Sequence, residues 1–284
     1  MIHRQLPALD HPSGVGFSRF LVACMLGACA LMVTGCATTG GGLGATESSR
    51  AEPVTESDEP EQRRRARLRL ELASGYFEQG KTEIALDEVK QSLAADPTYG
   101  SAYLLRGLVY MRLRDPVRAE ESFQRALRLN PRDGDALHNY GWFECQRGNY
   151  LRSIELFEEA LKLPIYGGKA KTLMTKGICE VSLGRFDEAE GSFARSYELD
   201  ASNPISGYNL ASLLLRKGDA KRAQFYIRRI NNSELANAES LWLGIRVERA
   251  LGNDVAVKQL GDQLQRRYPE SDELQKYKNG QFND

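Results

Sequence analysis

The amino-acid sequence predicts an all-α protein, a right-handed superhelix of about six helix-turn-helix repeats behind a disordered N-terminal tether. Three observations carry this expectation. The helix-end motifs Ala95-Asp96-Pro97 and Leu129-Asn130-Pro131 stand 34 residues apart, a period at which stacked helix pairs repeat. Gly80, Gly148, Gly184, Gly218 and Gly252 fall at one repeat position in five of the six units, where a first helix would end in a left-handed turn. Apolar residues recur at helical spacing, and no alternating strand pattern appears. The 38 basic and 38 acidic side chains cancel, so no excess field draws the chain to nucleic acid or to anionic surfaces.

At the N-terminus, Arg19 precedes an apolar run of 14 residues from Phe20 to Val33, too short for a good membrane span. The run has the form of a signal-peptide core and ends in Val33-Thr34-Gly35-Cys36. An aliphatic residue, two small ones and a cysteine resemble the bacterial lipobox, which implies cleavage before Cys36 and a diacylglycerol on its sulfur. Ala37, where inner-membrane lipoproteins commonly have aspartate, implies by the same resemblance export to the outer membrane. Each buried methylene of the acyl chains contributes about 0.8 kcal/mol, enough in sum for permanent anchoring. Residues 1–35 are thus expected to be a lipoprotein signal peptide, and 36–62 a lipidated flexible linker. That linker is rich in Gly, Thr, Ser, Glu and Pro and would hold the folded part roughly 25–30 Å from the lipid. Gly40-Gly41-Gly42 belongs to it, since a phosphate-cradling loop needs a strand before and a helix after.

Residues 63–284 carry the repeats. Tyr103, Gly107, Tyr110, Ala119, Phe123, Ala126 and Pro131 stand at positions 4, 8, 11, 20, 24, 27 and 32 of one 34-residue unit. This pattern resembles the tetratricopeptide consensus, in which small residues at positions 8, 20 and 27 let helices approach closely. One period earlier stand Leu72, Ala73, Tyr76, Ala85, Val89 and Pro97; one period later stand Leu137, Tyr140, Gly141, Phe157 and Ala160. A two-residue insertion within Ile165-Tyr166-Gly167-Gly168 shifts the frame, which resumes at Leu173, Gly177, Ala189, Phe193 and Asp200. A fifth unit has Leu210, Ala211, Leu214, Ala223 and Ile227, and a weaker sixth has Leu241, Ile245, Val257, Leu264 and Pro269. The stretch from Asp272 to Lys278 is expected to cap the open end.

Catalytic chemistry finds little material. His138 is the sole histidine after the signal peptide, so neither a His-based triad nor a zinc site is supported, and it reads as structural or surface-lining. Acidic residues such as Glu155, Glu158 and Glu159 follow exposed helix faces. Arg63-Arg64-Arg65 reads as a solvated helix start, with lipid headgroups or peptidoglycan as the sharper alternative. The residues imply no cofactor, no metal, no nucleic acid and no small-molecule substrate; an enzyme would need a separate α/β region that is absent from the pattern.

A binding surface is more legible. On each first helix, positions 2, 5, 9 and 12 form a stripe about a third of a turn from the core, and in stacked repeats that stripe lines the concave face. It reads Leu70 and Phe77, then Leu104, Leu108 and Met111, then Trp142, then Met174, Ile178 and Val181, then Tyr208, continuing to Leu215. The alternative is that neighbouring helices cover it as core. The ninth positions, Ser74, Leu108, Trp142, Ile178, Ser212 and Arg246, lack the Lys and Asn that grip a terminal carboxylate. An apolar groove suits an amphipathic helix or an extended apolar peptide, with Trp142 as anchor.

Of the five cysteines, Cys24 and Cys29 leave with the signal and Cys36 is lipidated, so Cys145 and Cys179 remain. Two thiols in an oxidising periplasm invite pairing. They stand 34 residues apart, at repeat positions 12 and 10, which differ by about 160° on a helical wheel. Across adjacent first helices, with axes roughly 8–10 Å apart, such side chains can meet. A disulfide is the expectation, with two separate buried thiols as the competing one.

His138-Asn139-Tyr140-Gly141-Trp142-Phe143-Glu144-Cys145, Lys176-Gly177-Ile178-Cys179 and Leu241-Trp242-Leu243-Gly244-Ile245-Arg246 resemble the type IV pilus biogenesis and stability lipoproteins, the PilF/PilW pilotins. With the lipobox and the closing Tyr268-Pro269-Glu270-Ser271-Asp272-Glu273-Leu274, the resemblance spans nearly the whole chain. It implies an outer-membrane lipoprotein, facing the periplasm, that binds the type IV pilus secretin and helps it reach that membrane and assemble. A lipoprotein scaffolding peptidoglycan enzymes or outer-membrane assembly is the other binding role these features admit.

Overall fold

A computed structural model of the chain describes residues 58–282. The expected signal peptide, the lipidated Cys36 and the tether up to residue 57 lie outside the described residues. Among those described there are thirteen helices and no strand. Six pairs follow one another: α1 (Glu61–Glu78) with α2 (Thr82–Ala95), α3 (Gly100–Arg112) with α4 (Pro116–Leu129), and α5 (Gly134–Gln146) with α6 (Tyr150–Lys162). Then come α7 (Lys169–Ser182) with α8 (Phe186–Leu199), α9 (Pro204–Arg216) with α10 (Ala220–Asn231), and α11 (Ala238–Ala250) with α12 (Asp254–Arg267). A lone α13 (Asp272–Lys278) closes the array. The first helix begins at Glu61, two residues before the expected boundary.

Local chemistry explains where these helices start and stop. Asp115, Asp133, Asn203, Asp219, Asn253 and Ser271 each accept from a backbone N–H of the helix they precede, satisfying donors that a helix leaves orphaned. Pro116 and Pro204 occupy the first turn, where a missing N–H costs nothing. Every first helix ends in the same 6→1 backbone bond: Lys81 to Tyr76, Asp115 to Tyr110, Asn149 to Glu144, Arg185 to Glu180, Asp219 to Leu214 and Asn253 to Glu248. That closure puts the preceding residue in the left-handed region. Five repeats use glycine there, at φ +70° to +83°, and the second uses Arg114 at φ 59°, which carries the steric cost glycine avoids.

Packing within a repeat depends on a glycine opposite a phenylalanine. A Cβ on Gly107, Gly141 or Gly177 would fall 2.6, 2.8 and 2.6 Å from the rings of Phe123, Phe157 and Phe193. Those rings are fully buried, so the missing methyl is what lets the two helices close on them. A second clasp joins helix ends: Ser92 Oγ donates to the Ala66 carbonyl and Ser196 Oγ to that of Ala170, both at 2.7 Å.

Stacking supplies the curvature. Each first helix touches the next first helix, as in α1 with α3 and α5 with α7, whereas successive second helices make no such contacts. The first helices therefore line the inner face and the second helices splay on the outer one. At the N-terminal end of the described repeats, Leu68 and Leu72 of α1 stay about half exposed, because no described helix pair packs on that side. At the other end α13 buries Leu274 and lays Tyr277 across Gly261, as expected of a cap. The insertion folds Tyr166 over Gly134 and Gly168, and its hydroxyl lies 2.9 Å from Thr172 Oγ1. No helix among the described residues is long and apolar enough to cross a membrane.

Candidate functional site: the inner face

Leu70, Phe77, Leu104, Leu108, Met111, Trp142, Ile178, Val181 and Tyr208 are all half-buried. Each packs its base on the core while keeping an accessible side. Met174 differs: it is 8% exposed, and the Asn203 amide lies 3.9 Å from its sulfur. Phe77 is partly roofed by Arg112, whose guanidinium sits 3.6 Å from the ring centroid and donates to the Phe77 carbonyl. On α1, Arg67 pairs with Glu59 and Glu71, and Arg69 with Glu88.

Trp142 stands near the middle of this face, against a small core of Cys145, Phe157 and Cys179. Cys145 on α5 and Cys179 on α7 are joined by a disulfide, with Cα atoms 5.9 Å apart. The bond ties the first helices of repeats three and four together directly beneath the indole.

His138 holds the fifth position of the same stripe in repeat three and is buried at 3% exposure. Its Nδ1 lies 2.9 Å from Thr172 Oγ1, and the ring packs on Phe157. Burial, reinforced by the positive charge of Lys171, pushes its pKa from the ordinary 6.5 down to about 3. Between those two values the unfolded chain binds a proton that the folded chain refuses, so stability falls as pH drops. At about 1.4 kcal/mol per pH unit, going from pH 7 to pH 5 should cost about 2 kcal/mol. Urea unfolding across that range should show the loss in the native protein and a flatter profile in His138→Gln; matching profiles would refute the assignment.

Three buried acids on first helices depart from the expected pattern of exposed carboxylates. Glu144, Glu180 and Glu248 are 4%, 2% and 1% exposed. All three occupy position 11, a core position of the consensus, and that is the signal by which the sequence could have revealed them. Asn149 donates to Glu144, Ser192 to Glu180, and Gln224, Arg228 and Asn253 to Glu248. Burial alone would push the Glu248 carboxyl up, but these donors outweigh it and hold it below the usual range. Glu144 and Glu180 thus fasten their first helices to the segments that follow, whereas Glu248 ties α11 both back to α10, through Gln224 and Arg228, and forward to Asn253. Among the described residues no group of three or more His, Cys, Asp or Glu side chains could hold a metal ion.

Stacked helix pairs with an apolar inner stripe and side chains committed to structure define a tetratricopeptide-repeat binding scaffold. The tetratricopeptide-repeat profile matches residues 70–133, 104–168 and 174–229. The type IV pilus assembly protein PilF of Pseudomonas aeruginosa is 26% identical over 208 residues, covering 73% of this chain and 82% of that protein. The solved structure of Pseudomonas aeruginosa PilF superposes with a TM-score of 0.70 at 25% identity, covering 77% of this chain and 99% of the other. That of PilW, a widely conserved type IV pilus biogenesis factor, gives 0.67 at 32% identity, covering 74% and 96%. The chain belongs to the tetratricopeptide-repeat family and, within it, to the type IV pilus biogenesis proteins represented by PilF and PilW.

Proposed function

We propose that this chain is an outer-membrane lipoprotein that binds the type IV pilus secretin on its inner face and promotes the secretin's localisation and assembly as a multimer. The observation that carries the reading is an accessible apolar stripe, centred on Trp142, in a chain of the PilF and PilW group. The lipid on Cys36 makes the protein cargo for outer-membrane sorting, and a groove that holds a secretin protomer carries it along. Tethering then raises the local protomer concentration at the membrane, which favours multimer formation.

Affinity capture of the full-length lipoprotein from detergent-solubilised envelopes should recover the secretin. Trp142→Ala should weaken that capture by about 2 kcal/mol, the contribution of a central aromatic anchor, while the unfolding midpoint stays close to that of the native protein. Envelopes from which no secretin co-purifies would defeat the reading. A collapse of the unfolding midpoint in Trp142→Ala would instead place the indole in the core.

A further inference from the structure

Trp242 stands at position 5 of the sixth repeat, the groove position held by Leu70, Leu104 and Tyr208 in repeats one, two and five. Those three are half-buried, His138 and Met174 at the same position of repeats three and four are buried, and Trp242 is 5% exposed. Besides the core residues packed around Trp242, Phe282 stacks on the indole with centroids 5.5 Å apart and planes 23° from parallel. Arg249, at groove position 12 of the same helix, brings its guanidinium 3.9 Å from the Phe282 centroid. Tyr277 adds an edge contact at 6.3 Å. An aromatic ring held by an indole and a guanidinium is how a groove takes an aromatic side chain of a bound peptide. Here the ring comes from the chain's own tail. Gly280, at φ +68°, turns the backbone after α13, and Gln281 N–H closes the turn on the Lys276 carbonyl at 2.9 Å, which delivers Phe282 to the indole.

One further detail favours a peptide ligand. The Trp242 indole N–H is buried and has no hydrogen-bond acceptor among the described residues, a donor that a backbone carbonyl of a bound segment would satisfy. We infer that Trp242 and Arg249 form a pocket for an aromatic side chain on an extended segment of a partner protein, and that Phe282 occupies this pocket until the partner's ring displaces it. The inference goes beyond the proposed function, since it does not require the partner to be a secretin.

The test uses the full chain and Phe282→Ala, with two synthetic peptides: one copying residues 280–284, Gly-Gln-Phe-Asn-Asp, and its Phe-to-Ala counterpart. Nuclear magnetic resonance follows the Trp242 indole N–H, identified with Trp142→Phe. The phenylalanine peptide should shift that signal saturably in Phe282→Ala and bind the native chain about tenfold more weakly, because an internal ring fills most of its sites. The alanine peptide should shift neither. Equal binding to both proteins, or none to either, overturns the pocket. Loss of the α11 and α12 amide signals in Phe282→Ala would show a purely structural cap and overturn it too. Neither readout involves secretin capture, so this inference and the proposed function can fail separately.

Discussion

Reduction of the Cys145–Cys179 disulfide, or the double substitution of both residues by alanine, is expected to lower the stability of the repeat domain by roughly 3–4 kcal/mol on the chain-entropy model. The bond closes a loop of sequence separation 34 and joins α5 to α7 across the boundary between repeats three and four. In a solenoid each repeat is stabilised chiefly by its neighbours, so an opened boundary weakens cooperativity between the two halves as well as lowering the midpoint. Trp142 rests on this cross-link, and partner affinity should decline with it. Urea titrations of oxidised and reduced protein measure the difference directly. Coincident curves, or two alkylatable thiols by mass spectrometry in protein isolated from an oxidising compartment, would remove the bond from the account.

Under the proposed function, Cys36→Ala abolishes lipidation, and with it fractionation with the outer membrane. The expected effect is close to complete, because each acyl methylene contributes about 0.8 kcal/mol to partitioning and several chains are lost together. The repeat domain should still fold, since the buried core of the described residues lies within residues 66–274, far from Cys36 in the sequence. Secretin multimers in the outer membrane should decline in parallel while secretin protomers persist elsewhere in the envelope. Normal recovery of the mature variant protein in outer-membrane fractions would sink the anchoring proposal, whatever the secretin does.

Much of the architecture was legible because the repeat writes the same constraints six times. Gly107, Gly141 and Gly177 recur opposite Phe123, Phe157 and Phe193, and the turn glycines recur where a 6→1 bond demands a left-handed residue. The stripe from Leu70 to Tyr208 was also readable, since a helical wheel locates one side of a helix from its sequence alone. The burial of Met174 was less accessible to that reasoning: it stands in register with the stripe, but the loop before α9 brings Asn203 against its sulfur. Glu144, Glu180 and Glu248 were missed because acidic residues are usually solvated. Their burial depends on donors from neighbouring segments, those after α5 and α7 for Glu144 and Glu180, and both α10 and the turn after α11 for Glu248.

By itself the sequence determined the repeat period, the helix pairs, the capped C-terminal end and the kinship with PilF and PilW, because these follow from local periodicity, turn chemistry and motifs. Tertiary structure alone decided which carboxylates are buried, how far Met174 sinks, and that Phe282 lies on Trp242. Phe282 and Trp242 are 40 residues apart, with no periodic relation between them. Their meeting depends on where α13 docks against α11 and on the turn at Gly280, and no pattern along the chain encodes that contact.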